Sequence, residues 1–170
     1  STQSRSSAAS DVYKRQQFME LGRSCVLPDY RTKRTVELLW LGNWAYALRH
    51  GMNAMFGCAS FSGVSPEEHA LALSFLHHTV LAKDEWSVSA LPSLYRQMDL
   101  VPVEAINPRK AVSSLPPLIK GYLRLGAMIG DGAVVDRAFN TTDVLIVLPI
   151  SSISDRYINH FGADASRFAS

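Results

Sequence analysis

The sequence predicts an α/β domain, and three observations carry that expectation. Residues 144–148 form an unbroken Val-Leu-Ile-Val-Leu run, the pattern of a strand buried on both faces. Residues 36–50 place Val36, Leu39, Trp40, Trp44, Ala47 and Leu48 along one helical stripe, which Leu38, Leu41 and Ala45 widen. Residues 18–26, FMELGRSCV, alternate with the period of a strand: Phe18, Glu20, Gly22 and Ser24 on one side, Met19, Leu21, Arg23 and Cys25 on the other.

Each further element has its own local cause. Residues 1–16 are Ser-rich and without periodicity, and DVYKRQ resembles the in-frame translation of a sequencing adapter. Ser1–Gln16 is therefore expected to be a foreign, disordered leader, and the natural protein to be longer at its N-terminus. After the first strand, residues 27–35 make a turn dense in cations and hydroxyls that runs into the helix, and Gly51 ends that helix. Residues 53–61 read as a second strand, with Gly57 allowing another chain or a ligand close to its backbone. Ser65-Pro66-Glu67-Glu68 has the form of a capping box, opening a helix to about Leu81 that buries Leu73, Leu76 and Val80.

Residues 83–114 keep no strong period; there Met98, Leu100, Val101 and Val103 either seal the core or line an acyl tunnel. Pro116-Pro117 opens a helix with Leu118, Ile119, Tyr122, Leu123 and Leu125 on its apolar side, stopped by Gly126. Residues 127–136 read as extended, 137–141 as a polar turn, and Ser154 caps a short helix through Phe161 before a tail at 163–170.

Composition bounds the function. The 170 residues suit one domain, and 47% hydrophobic with 19% charged residues is ordinary for a folded soluble chain. No run approaches the roughly 20 apolar residues of a membrane span, and no signal peptide is legible, so a cytoplasmic location is expected. Without the leader, 14 basic residues balance 14 acidic ones, which removes the electrostatic footprint of a nucleic-acid binder. Cys25 and Cys58 stand in apolar contexts and read as reduced core thiols. His77 and His78 are adjacent, so they cannot form the i, i+4 pair of a zinc helix, and no metal site is expected.

Several polar residues admit two readings. Arg23, on the more apolar side of its strand, needs a carboxylate partner or a ligand oxygen. Lys120 and Arg124, four apart on one helix, are either a solvated basic edge or an anion contact. Asp131, Asp136 and Asp143 bracket the final strands, as turn residues or as functional carboxylates. Arg31, Lys33 and Arg34 precede a helix N-terminus, whose outward amides favour an anion.

Two long blocks, LPPLIKGYLRLGA and GDGAVVDRAFNTTDVLIVLP, closely resemble the C-terminal half of the ornithine lipid-forming N-acyltransferases, the hemolysin-like members of the GNAT superfamily. ELGRSCVLPDYR and FGCASFSG are similar to the segment preceding it, so the resemblance spans residues 18–162. It implies a GNAT-like α/β fold over 17–162, a mixed sheet flanked by helices and lacking its N-terminal strands. It further implies transfer of a 3-hydroxyacyl group from acyl carrier protein to the α-amino group of ornithine. The phosphopantetheine arm of the carrier would be the donor, with no permanently bound cofactor.

The resemblance places Glu20 and Arg23 in the active-site region, and puts the pantetheine between the two first strands. Arg31, Lys33, Arg34, Thr35, Cys58 and Ser60 are then the expected donor-binding residues. The glycine-rich pyrophosphate loop of coenzyme A users is absent, which favours the single phosphate of a carrier arm. The chemistry needs a cation for the substrate carboxylate, for which Arg23 is the expectation. It also needs carboxylates as base and ammonium partner, drawn from Glu20, Asp136 and Asp143. Arg109, Lys110, Lys120 and Arg124 would form a landing patch for the acidic carrier protein. Two alternatives stand beside this reading: a long-chain N-acyl amino acid synthase for another amino acid, or a non-catalytic module that binds the carrier. An amphiphilic product also makes peripheral contact with the inner membrane reasonable.

Overall fold

The computed structural model describes residues 17–22 and 25–153, the side chain of Lys33 excepted. A six-stranded mixed sheet forms its centre. Its order is β1 (Phe18–Glu20), β2 (Ala54–Ser62), β6 (Thr141–Pro149), β5 (Ala133–Asp136) and β3 (Tyr95–Arg96), and β4 (Met128–Ile129) also pairs with β6. Among the described strands, β1 and β2 pair in parallel and the other pairs are antiparallel. Parallel neighbours need a crossover, which α1 (Lys33–Arg49) supplies. The N-terminus of α1 therefore comes to the end of the sheet where β1 and β2 finish. Among the described residues, no helix is long and apolar enough to cross a membrane.

The sheet core is the long β2–β6 ladder, in register from Ala54↔Pro149 to Ser62↔Thr141. The strand expected at 144–148 extends outward to Thr141 and Pro149, because β2 pairs along its whole length. Ile146, Val147 and Leu148 are buried in sequence, so both faces are covered there. On one face α2 (Ala70–Val80) brings in Leu73 and Leu76, both fully buried.

Several boundaries differ from the sequence expectation, each for a local reason. The strand expected at 18–26 pairs only over Phe18–Glu20, because the chain leaves β2 after Leu21. Helix α1 starts at Lys33 rather than Val36: Thr32 is its N-cap, and the Thr32 Oγ1 accepts the Thr35 amide at 3.2 Å. Only part of the expected stripe is buried, at Trp44, Ala45 and Ala47, while Val36, Leu38, Leu39 and Leu48 are about half exposed. The buried residues lie near the C-terminal end of the helix, where the Met52 amide bonds the Ala47 carbonyl and the Asn53 amide bonds that of Gln17.

The capping box at Ser65 does not form. Pro66–His69 is a 3-10 turn, in which Ser65 Oγ donates to Glu67 Oε2 at 2.9 Å, and α2 begins only at Ala70. Both cysteines, expected in the core, are exposed free thiols; Cys58 falls on the opposite side of β2 from buried Ala59 and Phe61. The extended stretch 127–136 is split between β4 and β5 at Gly130–Gly132, where Gly132 takes φ +85°.

Residues 83–114 contain more order than their pattern shows. Met98 is buried in the core, Leu100 is partly buried and Val103 is about half exposed, so the four candidate lining residues do not share one environment. Helix α3 (Pro108–Ser114) is capped by Asn107, whose Oδ1 accepts the Lys110 amide at 3.1 Å. Helix α4 (Pro117–Arg124) follows, and Gly126 at φ +92° lets the chain turn away beneath Ser152. The helix expected from Ser154 to Phe161 lies outside the described residues.

Candidate active site

The site begins where two parallel strands part. Pairing between β1 and β2 ends at Glu20↔Phe56, and the last link is the Leu21 amide donating to the Phe56 carbonyl at 2.7 Å. From Gly57 to Ser62, β2 continues with no strand on that edge among the described residues. Gly57 stands at the fork. A Cβ there would lie 2.7 Å from the Leu21 carbonyl oxygen, so only glycine permits this approach without a shift. An edge that carries no strand among the described residues is the kind an extended, amide-bearing ligand can pair with.

Register decides which side chains face the fork together. Cross-strand partners share a face and neighbours along a strand alternate. Glu20 is level with Phe56, Ser60 with Asp143, and Asp143 with Val134. Glu20, Cys58, Ser60 and Asp143 therefore lie on one face of the sheet, opposite the face packed by Met55, Ala59 and Phe61. Glu20, Cys58 and Ser60 are exposed and Asp143 is half-buried. Asp143 Oδ1 is buried, with no hydrogen-bond partner among the described residues. A carboxylate oxygen left in this state is open to an incoming donor.

Cys58 reports the electrostatics of this face. Partial burial, then the charge of Asp143, then that of Glu20 push its thiol above the usual cysteine range. Its surface reaches solvent while the surrounding atoms strip part of its hydration. Two carboxylates and a protonated thiol thus share the open face.

The remaining expected residues distribute unevenly. Thr35 lies in the first turn of α1 and its hydroxyl meets that of Thr32 at 3.0 Å. Arg34 is exposed in the same turn, and Arg31 donates its Nε to the Val26 carbonyl at 3.0 Å. Lys33 starts the helix, whose first amides have no partner inside it. Asp136 is level with Thr141 on the open face, but its Oδ1 accepts the amides of Ala138 and Phe139 at 2.8 and 3.0 Å. Those bonds hold the β5–β6 turn, the structural use of an Asp at a strand end. Arg23 lies outside the described residues.

The basic residues of α3 and α4 come together. Arg109, Lys120 and Arg124 line a shallow open depression of about 540 Å³ with Pro108, Val112 and Ser113. Lys110 is exposed on α3 but is not part of this lining. Lys120 Nζ donates to the Ser113 carbonyl at 2.8 Å, so its charge is held at the C-terminal end of α3. Helix α4 also meets α1, through the edge-to-face Trp40–Tyr122 pair with centroids 5.1 Å apart.

Sequence reasoning missed the fully buried Ser74. Its hydroxyl donates to the Met98 carbonyl at 3.1 Å and accepts the amides of Leu100 and Val101 at 2.8 and 2.9 Å. A lone serine inside an apolar helix stripe was the available signal. His77 and His78 approach different carboxylates, Asp131 at 3.7 Å and Asp99 at 2.8 Å.

The chain shares most of its length with known acyltransferases. A protein from Rhizobium meliloti (strain 1021), L-ornithine N(alpha)-acyltransferase, is 78% identical over 153 residues, which is 90% of this chain and 52% of the relative. The proteins of the same name from Agrobacterium fabrum and Rhodobacter capsulatus are 74% and 41% identical over 150 and 140 residues. These cover 88% and 82% of this chain, and 51% and 53% of the relatives. The chain is thus similar to these acyltransferases along most of its own length.

It spans about half the length of the curated relatives it matches. The family model of the acetyltransferase (GNAT) domain matches residues 2–41, a span that takes in the Ser-rich leader, β1 and the first half of α1. No solved structure matches this chain significantly. In it, the forked β1–β2 pair and the N-terminus of α1 supply an open edge and an anion-favouring helix end at one side of the sheet.

Proposed function

We propose that the protein is an N-acyltransferase that moves a 3-hydroxyacyl group from acyl carrier protein to the α-amino group of ornithine, in ornithine lipid synthesis. The observation that carries this reading is identity of 66 to 78% along nine-tenths of the chain with three proteins named L-ornithine N(alpha)-acyltransferase. The acyltransferase segment is taken as residues 17–162, with Ser1–Gln16 as a foreign leader and 163–170 as a tail.

The pantetheine arm lies along the free edge of β2 beyond Gly57, past Cys58 and Ser60. Its phosphate sits near the α1 N-terminus, where Arg31, Lys33, Arg34 and Thr35 surround it. The free amine of ornithine attacks the thioester carbonyl, forming the C–N bond; the C–S bond breaks and the carrier thiolate leaves. Asp143 or Glu20 accepts the proton released from nitrogen, and a proton goes to the departing sulfur, so the step balances without a protein nucleophile. Asp143 fits the base best, because its buried Oδ1 has no partner among the described residues to compete with the amine. Arg23 takes the substrate carboxylate and Glu20 the distal ammonium. Asp136, committed to its turn, acts from a distance in shaping this face.

The carrier protein docks on the basic depression of Arg109, Lys120 and Arg124, with Lys110 at its margin. The reaction is placed in the cytoplasm, with product delivered to the inner membrane. The test is incubation of the full chain, and in parallel of a full-length relative, with 3-hydroxyacyl carrier protein and a panel of amino acids. N-acylornithine detected by mass spectrometry is the expected product. Acylation of a different amino acid would overturn the substrate, and carrier binding without product in either protein would overturn catalysis in favour of a binding module.

A further inference from the structure

The end of the sheet where β1 and β2 fork carries an unusual surface. A 3-10 turn at Pro28–Tyr30 leads into α1, and just before and within it Leu27 and Tyr30 are 71% and 63% exposed. At the same end of the sheet lies the β5–β6 turn: Thr141 is level with Ser62, the last residue of β2, and the Gly63 amide bonds the Asn140 carbonyl at 2.9 Å. The tip of that turn holds Phe139, 81% exposed. Exposed arginines stand near each apolar tip, Arg31 just after the first turn, Arg34 in the first turn of α1 and Arg137 in the second turn, against one exposed acid, Asp29, inside the first.

We propose that this end of the protein is a docking face for an anionic phospholipid bilayer. Large apolar and aromatic side chains on turn tips, with arginines near them, suit the boundary between headgroups and acyl chains. Neither turn shows a hydrogen bond from the Leu27, Tyr30 or Phe139 side chains that holds it together among the described residues; of the arginines, Arg31 also donates its Nε–H to the Val26 carbonyl. The β5–β6 turn is fixed by Asp136 through backbone amides, and the Pro28–Tyr30 turn by backbone bonds from Tyr30 to Leu27 and from Arg31 to Pro28. The docking face is also separate from the depression of Arg109 and Arg124, whose lining includes only Val112 and Pro108 as apolar residues. A protein partner is the natural reading for that second surface and a bilayer for this one. Docking here would open the forked cleft toward the membrane, so that an acylated amphiphile leaves directly into lipid. That use rests on the function proposed above; the binding itself does not.

Co-sedimentation with vesicles tests it on the full chain, with no acyl donor or amine present. Vesicles of phosphatidylcholine with roughly 30% phosphatidylglycerol, whose surface potential is negative, are compared with phosphatidylcholine alone. The chain should partition onto the anionic vesicles, and weakly onto the neutral ones. The double variant Leu27→Ser/Phe139→Ser should weaken partition by about tenfold or more, as expected from withdrawing two side chains from the interface. Arg109→Glu/Arg124→Glu should leave it unchanged. Circular dichroism confirms that both variants keep their fold. No partition onto anionic vesicles, or partition that survives the double variant, overturns the proposal. Vesicle binding without any acyltransferase product leaves it standing and overturns only the reaction.

Discussion

The two faces of the β2–β6 ladder are built from the same two strands and do opposite work. On the packed face, Met55, Ala59 and Phe61 meet Thr142, Val144, Ile146 and Leu148, none more than 2% exposed. Even its one hydroxyl is satisfied, since Thr142 Oγ1 donates to the Gly63 carbonyl at 2.8 Å. On the open face, one residue away along each strand, stand Cys58, Ser60 and Asp143, with Glu20 beside them and one carboxylate oxygen unpartnered. Alternation lets a strand be rigid and reactive at once. The packed side fixes the register, and the register sets the spacing of the polar groups on the other.

Substitutions should therefore separate by face. The largest effect is expected at Phe61, where truncation to alanine empties a fully packed position and should cost about 3–5 kcal/mol in urea unfolding. A loss below about 1 kcal/mol would mean the packed face is looser than its burial indicates. Ser74→Ala comes next. It leaves the buried amides of Leu100 and Val101 and the carbonyl of Met98 without their partner, and should cost about 1–3 kcal/mol. Hydrogen exchange should rise first at residues 98–101; uniform acceleration across α2 instead would show that Ser74 serves the helix rather than the loop.

The contrast also explains what the sequence made legible. The apolar run of β6 and the stripe of α2 could be read directly, because burial on both sides leaves few polar residues to confuse the period. The stripe of α1 has the same quality in sequence, yet Val36, Leu38 and Leu39 are about half exposed. Periodicity marks a face; it does not say how far along the helix the sheet extends. Short paired segments such as β3 and β4, two residues each, have too few residues to show a period at all. The open face was legible residue by residue, through Glu20, Asp143 and Ser60, but not as a unit. Their convergence depends on the cross-strand register of three strands, and Cys58 was read as core for lack of it.

The smallest expected effect is the most direct probe of the open face. With Cys25→Ser removing the other exposed thiol, alkylation of Cys58 by iodoacetamide reads its thiolate fraction against pH. Burial and the two carboxylates raise this thiol, so the profile should rise at higher pH than for an ordinary cysteine. The sign for stability follows: the folded state holds the proton more tightly than the unfolded chain. The associated stability is fully present below the ordinary thiol pKa and is lost as pH rises through the elevated one. Asp143→Asn removes the second-largest cause and should shift the alkylation profile to lower pH, without reaching the ordinary position because burial remains. Unfolding free energy should change by about 1 kcal/mol or less, because the side chain is only half-buried. A profile that does not move would separate Asp143 from Cys58, and with it the single reactive face that the register implies.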